Sequence, residues 1–166
     1  MNKSSIDTIA RKLSIDPRHL DALINFETGG TYNPLIKNPY SSARGLIQIT
    51  DAAARDIGFS DSLDAVTRNP DFDSQMNNVV YPYLKRYAPY PTLQSLYMAV
   101  FYPAARTVPP DTIFPESVRK VNPGIITVQD YVNFVNKRVS LSGVQVAATG
   151  AAFLVVGVLV WFYLKK

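Results

Sequence analysis

Residues 22–50 read ALINFETGGTYNPLIKNPYSSARGLIQIT, and this stretch places one glutamate, Glu27, where a helix gives way to a loop. The helix begins upstream at Asp16-Pro17, because aspartate is a common N-cap and proline suits the first helical turn. Gly29-Gly30 predicts the end of the helix, and Asn33-Pro34 predicts the loop that follows. The stretch therefore predicts a helix whose last residue is a carboxylate beside a loop.

Glu27 falls on the apolar side of this helix. Leu20, Leu23 and Ile24 form an apolar stripe, and Glu27 follows Leu20 by seven residues, on the same side. Burial there would raise the pKa of the carboxyl group and keep it protonated near neutral pH, which a general acid for glycoside cleavage requires. The alternative is a glutamate that simply ends a helix at the surface. Glu116, the only other glutamate, is expected to be solvated in a proline-rich loop.

Three elements in this order resemble the signature of the lytic transglycosylases related to goose-type lysozyme: Glu27-Thr28, Asn33-Pro34 and Gly45-Leu46-Ile47-Gln48. The resemblance is close over residues 22–50 and loose over 18–138. It implies that Glu27 is the catalytic acid and base, and that Gln48 lies beside it in the sugar cleft. It also implies that Gly45 lets the backbone pass close to the substrate.

The sequence departs from the family pattern at several positions. Ser42 stands where the family often has glycine, and Phe101 occupies the tyrosine position of an Ala-Tyr-Asn element. The missing hydroxyl could come from Tyr97 or Tyr102. Tyr131 resembles a further family tyrosine that approaches the catalytic glutamate. The resemblance thus implies substrate-binding roles for these three tyrosines, and core packing is the alternative for each.

The mechanism that the resemblance implies uses a single carboxylate. A two-carboxylate glycosidase needs a second acid within about 5–10 Å, and Asp51 and Asp56 are the nearest candidates after Gln48. Capping of a short helix explains Asp51 well. We therefore expect Glu27 to cleave the MurNAc-β-1,4-GlcNAc bond of peptidoglycan and to form a 1,6-anhydro product. The alternatives are water attack, as in goose-type lysozyme, and a non-catalytic protein that binds glycan or serves a structural role in a virion.

The residues before 138 read as helices separated by proline-rich loops, so we expect a mainly α, lysozyme-like domain over 1–138. Besides the helix ending at Glu27, helices are predicted at 5–13, 51–57, 71–87, 92–101 and from 127 onward. Pro82 is expected to bend the helix at 71–87. Residues 106–126, with four prolines, are predicted to form a long loop. His19 fits no motif and is expected at the surface.

Composition limits the chemistry that this chain can perform. The 166 residues suffice for one compact domain, and the net charge of +4 suits polyanions without choosing among them. The absence of cysteine excludes disulfides and thiolate metal sites, and a single histidine excludes a multi-histidine metal site. We predict no metal, no cofactor and no nucleic-acid partner. The predicted partners are peptidoglycan glycan strands and a lipid bilayer.

The bilayer is predicted from the sequence near the C-terminus. Residues 146–164 carry no charged side chain and would span about 28 Å as a helix, close to the thickness of the hydrocarbon core. We assign 139–143 to a short linker, 144–164 to a transmembrane helix and 165–166 to a basic tail. The alternative is a buried core helix. Small residues that could let another membrane helix approach are Gly143, Ala147, Gly150 and Gly157.

The location of the protein follows from the same features. No apolar signal-peptide region follows the charged residues at the N-terminus, so the catalytic domain would be made before the single-pass helix is inserted. A wall-cutting enzyme then suits the internal virion membrane of a membrane-containing bacteriophage, for local cell-wall penetration. The alternative is the inner membrane of a bacterium.

Overall fold

The computed structural model describes residues 3–142, with side-chain surroundings described for 3–138. Its α-helices, in chain order, are α1 (Lys3–Leu13), α2 (Pro17–Glu27), α3 (Asp51–Arg55), α4 (Ser62–Arg68), α5 (Phe72–Gln75), α6 (Tyr81–Lys85), α7 (Leu93–Phe101), α8 (Glu116–Val121) and α9 (Val128–Ser142). Strand pairing within these residues is limited to isolated bridges, such as Lys37 with Arg44. The predicted mainly α fold is confirmed for this part of the chain.

Helix α2 has the boundaries that its sequence predicts. The Asp16 carboxylate caps the helix by accepting the backbone N–H of Arg18 at 2.9 Å, and Pro17 occupies the first turn. The chain leaves the helix through Gly29 and Gly30, whose φ angles are +59° and +83°. Glycine favours this left-handed region because it has no Cβ. Glu27 is therefore fixed as the last residue of α2.

Helices α2 and α9 form an antiparallel pair at the centre of the fold. Glu27, at the end of α2, contacts Tyr131 near the start of α9. At the beginning of α2, His19 contacts Tyr97 of α7, whose hydroxyl also donates to Asn136 further along α9. Helix α1 packs against α2, and α7 packs against α9. The chain thus leaves α9 at the end of the domain where α2 begins.

The prediction of a continuous loop over 106–126 is wrong, because α8 (Glu116–Val121) lies inside it. Its prolines flank the helix instead of interrupting it: Pro115 precedes the first turn, where proline is tolerated, and Pro123 follows the last. Val118, on the inner side of the helix, packs in the core.

Helix α4 was not predicted, although Asp61 is a good N-cap and accepts the Asp64 N–H at 2.7 Å.

The expected effect of Pro82 takes the form of a π-helical segment, Met76–Val80, which joins α5 to α6. The N–H of Tyr81 donates to the carbonyl of Met76, five residues back. Proline has no N–H, and its ring would clash with the carbonyl four residues earlier in a regular α-helix. The wider turn directly before Pro82 accommodates this clash.

The predicted transmembrane segment, 144–164, lies outside the described residues, as do the small residues at 143, 147, 150 and 157. Helix α9 continues to Ser142, through most of the segment assigned to a linker. Among residues 3–142, no helix has the length and apolar character needed to cross a bilayer.

Candidate active site

Glu27 has a buried carboxyl group, in which one oxygen accepts a hydrogen bond and the other has no hydrogen-bond partner. Only 3% of the residue is exposed, and Oε1 accepts a hydrogen bond of 2.7 Å from the Tyr131 hydroxyl. Oε2 is buried and has no hydrogen-bond partner. A buried polar atom without a partner carries a desolvation cost of about 1–3 kcal/mol.

The electrostatic state of Glu27 follows from this burial. Desolvation raises the pKa of its carboxyl group from 4.5 to about 7, and the hydrogen bond from Tyr131 opposes part of the rise. Desolvation disfavours the charged form, while a donor to the carboxylate favours it. At neutral pH both protonation states are therefore populated, so the group can give up a proton and take one back.

Tyr131 is held in place by aromatic contacts on both sides. Its ring stacks on Phe101 with 4.0 Å between centroids and an interplanar angle of 20°. Phe26 meets the same ring edge-on at 5.4 Å. The hydroxyl therefore points at Glu27 from a fixed position. Tyr131 makes the contact with Glu27 that the family resemblance implies, and Phe101 supports that contact by stacking instead of supplying a hydroxyl.

The Tyr131→Phe variant should raise the pKa of Glu27 further. Phenylalanine keeps the ring contacts but removes the donor that stabilises the charged carboxylate. The pKa can be measured by NMR titration of glutamate labelled at the side-chain carboxyl carbon, since Glu116 is the only other glutamate. The matched control is Tyr97→Phe, which removes a hydroxyl bonded to His19 and Asn136. If the titration midpoint of Glu27 in Tyr131→Phe is unchanged or lower than in the wild type, the hydrogen bond from Tyr131 does not stabilise the charged carboxylate.

Thr28 fixes the loop that follows Glu27. Its buried hydroxyl donates to the Ile24 carbonyl at 2.7 Å and accepts the Tyr32 N–H at 3.1 Å. The Tyr32 hydroxyl in turn donates to Asp21 at 2.9 Å, back on α2. The residue after Glu27 thus ties the returning chain to the helix. This explains why a small hydroxyl residue suits the position after Glu27.

The Gly45–Gln48 element forms a buried turn. Gly45 has φ +75°, and the side-chain amide of Gln48 donates to the Gly45 carbonyl at 3.1 Å. Gln48 itself adopts φ +48°, an uncommon conformation for a residue with a side chain. Backbone of this kind persists only where its surroundings hold it, and it is frequent at functional sites.

Gln75 supports this turn and was missed from the sequence. Its buried amide accepts the Leu46 N–H at 3.0 Å and donates to the Pro34 carbonyl. One side chain therefore joins the loop after Glu27 to the turn that carries Gln48. The available signal was its position: Gln75 precedes Val79 by four residues, on the apolar side of its helix.

The contacts described for the other candidate tyrosines are with residues other than Glu27. Tyr97 is fully buried, and its hydroxyl lies between His19 Nδ1 at 2.8 Å and Asn136 Oδ1 at 3.1 Å. Tyr102 is half-buried, with its ring edge-on to Phe114 at 5.7 Å. His19, expected at the surface, lies in the first turn of α2 and is half-buried, with its ring edge-on to Tyr97.

Asp51 and Asp56, the candidates for a second acid, have other partners. Asp51 accepts the backbone N–H and the hydroxyl of Ser62 at 3.0 and 2.7 Å. Desolvation raises the pKa of Asp51, but these bonds outweigh it and leave the pKa below its ordinary value. Asp56 pairs with Arg86 at 3.5 Å. Neither carboxylate is buried as Glu27 is, and the pKa of Asp51 is displaced in the opposite direction.

The described residues contain no group of three histidine, aspartate or glutamate side chains placed to hold a metal ion. The strongest chemical feature in this part of the chain is the pair formed by Glu27 and Tyr131. No protein-family model matches the sequence, and a comparison with curated proteins finds no match.

Proposed function

We propose that this protein is a peptidoglycan lytic transglycosylase on a lysozyme-like helical domain, with Glu27 as its acid and base. The observation that carries the proposal is a carboxyl group with a pKa of about 7 and one unpartnered oxygen, at the end of α2. It is supported by the order of the elements around it, from the Asn33-Pro34 loop to the Gly45–Gln48 turn, which resembles the transglycosylase signature.

The reaction would proceed in two proton transfers. Protonated Glu27 gives its proton from Oε2 to the oxygen linking N-acetylmuramic acid to N-acetylglucosamine, and the bond from that oxygen to muramic C1 breaks. The muramic N-acetyl oxygen stabilises the positive charge at C1. The Glu27 carboxylate then takes the proton of the muramic 6-hydroxyl, whose oxygen bonds to C1. The proton balance closes without water and needs no carboxyl group besides Glu27.

Two structural roles follow for the residues around Glu27. Tyr131 would hold Oε1 so that Oε2 presents its proton to the sugar. The turn at Gln48 would border the sugar cleft. Since Oε2 is covered by neighbouring side chains, a sugar oxygen reaches it only after those side chains move.

We propose a single-pass membrane anchor at 144–164, in the internal membrane of a phage virion or in a bacterial inner membrane.

The chemistry of the released ends tests the reaction type. Full-length protein in detergent is incubated with purified peptidoglycan, and the soluble muropeptides are weighed by mass spectrometry. We expect anhydro-muramic ends, each lighter by one water than a hydrolysed end. Reducing muramic ends alone would assign the protein to the lysozymes. Absence of any cleavage, with the protein folded, would favour a non-catalytic glycan-binding or structural role.

A further inference from the structure

The direction of α9 determines which end of the domain adjoins the chain that follows it. Glu27 bonds to Tyr131 near the start of α9, whereas His19 connects through Tyr97 to Asn136, further along. Helix α9 therefore runs toward the beginning of α2 and is described as far as Ser142. The apolar sequence 146–164 follows within a few residues.

This end of the domain, which we call the basic end, carries an excess of positive side chains. Its basic residues are Arg11, Lys12, Arg18, Lys137 and Arg138. Most of these side chains are exposed. Of the acidic residues beside them, Asp16 is paired with Arg18 at 2.6 Å, Asp21 accepts the Tyr32 hydroxyl, and Asp7 lies one turn before Arg11. The basic end therefore presents positive charge at the end of the domain toward which the described part of α9 runs.

Apolar groups also lie at this end of the domain. A cavity of about 260 Å³ opens between the α1–α2 turn and the start of α7, and Ile15, Leu93 and Leu96 line it together with polar residues that include Asp16 and His19. Leu93 is 36% exposed. Exposed apolar groups surrounded by lysine and arginine are the features of protein surfaces that rest on anionic lipid.

We infer that the basic end of the domain docks on the surface of a bilayer containing anionic phospholipid. The phosphates pair with the exposed lysine and arginine side chains, and Leu93 with the cavity beside it faces the headgroup region. The inference rests on the membrane anchor proposed above, not on catalysis. It also sets an orientation: Tyr131 lies six residues before Lys137, so the Glu27 site is held about 9 Å along α9 from the nearest basic residue of the docked end.

Spin labels at two leucines test this orientation in the full-length chain. The protein has no cysteine, so Leu93→Cys and Leu35→Cys each give a single labelling site. Leu35 is 56% exposed and lies in the loop beyond the Glu27 end of α2, which makes it the matched control. The chain is reconstituted in vesicles of phosphatidylcholine with or without phosphatidylglycerol. The measured quantity is the collision rate of each label with a water-soluble nickel chelate.

We expect phosphatidylglycerol to shield the label at position 93 and to leave the label at position 35 unchanged. In the Leu93→Cys background, Lys137→Gln should lower the ratio of docked to undocked protein about fivefold. Lys37→Gln, at the Glu27 end, should leave that ratio unaltered.

Equal collision rates at the two positions, or shielding at position 93 that ignores phosphatidylglycerol, overturns the inference. A chain that fails to float with the vesicles also overturns it. Clearing of peptidoglycan by that same sample would still uphold the proposed activity, so the two proposals fail separately.

Discussion

Glu27→Gln is expected to lower the peptidoglycan-clearing activity of the full-length protein by about a hundredfold or more. Glutamine keeps the shape of the side chain and can still accept the Tyr131 hydrogen bond through its amide oxygen. It has no proton to give to the glycosidic oxygen and cannot take one from the 6-hydroxyl. The measurement is the initial rate at which detergent-solubilised protein clears a suspension of purified cell walls. Activity within a few-fold of the wild type would remove Glu27 from the mechanism.

The stability of the same variant is the control, because loss of activity must not come from loss of the fold. In the wild type the pKa of Glu27 is about 7, against 4.5 for an ordinary glutamate. Between pH 4.5 and about pH 7, Glu27 is ionised in the unfolded chain but still protonated in the folded protein. The free energy of unfolding therefore falls as the pH rises through this range. Full ionisation of this group costs about 3 kcal/mol. Glu27→Gln should therefore match the wild type near pH 4 and unfold at a higher temperature near pH 8.

Local rules explain which parts of the fold could be predicted from the sequence. Helix α2 has a capping aspartate, a proline in its first turn and two glycines after its end, so its boundaries are set by short-range chemistry. The capping box of Thr92 and Ser95 likewise sets the start of α7. The short helix α8 lacks such a side-chain cap, and its surrounding prolines predict a loop. The burial of Val118 against the core stabilises it, and such a tertiary contact has no local sequence signal.

In the candidate site, too, local sequence predicts some features, while others depend on tertiary contacts. The burial of Glu27 could be predicted because the residue lies on an apolar stripe of its own helix. The resemblance implied Tyr131, which is far away in sequence but bonds to Glu27. The role of Gln75 could not be predicted without knowing that loops 29 and 41 residues away in sequence meet at its amide. The contact between His19 and Tyr97 likewise depends on how α2 and α7 pack.

Gly45→Ala is the substitution expected to cost the most stability, because it combines an unfavourable backbone angle with a direct clash. A Cβ at this position would lie 2.5 Å from Gln75 Oε1 and 3.2 Å from Val66 Cγ1. The φ of +75° alone costs a residue with a side chain about 1–2 kcal/mol. Displacing Gln75 also weakens its buried hydrogen bonds to Leu46 and Pro34, worth about 1–3 kcal/mol if one is lost. We expect a total loss of about 2–5 kcal/mol in the free energy of unfolding.

Two comparisons separate the clash from the backbone angle. Gly29→Ala has a similar φ of +59°, but nothing lies within 4 Å of its Cβ, so it should cost only about 1–2 kcal/mol. In a Gln75→Ala background the amide that the new Cβ would displace is already absent. The loss of unfolding free energy caused by Gly45→Ala should then approach the value for Gly29→Ala. The measurement is the denaturant midpoint of all the variants. Equal costs for Gly45→Ala and Gly29→Ala would mean that the turn yields freely, and that Gln75 does not hold it against the loop after Glu27.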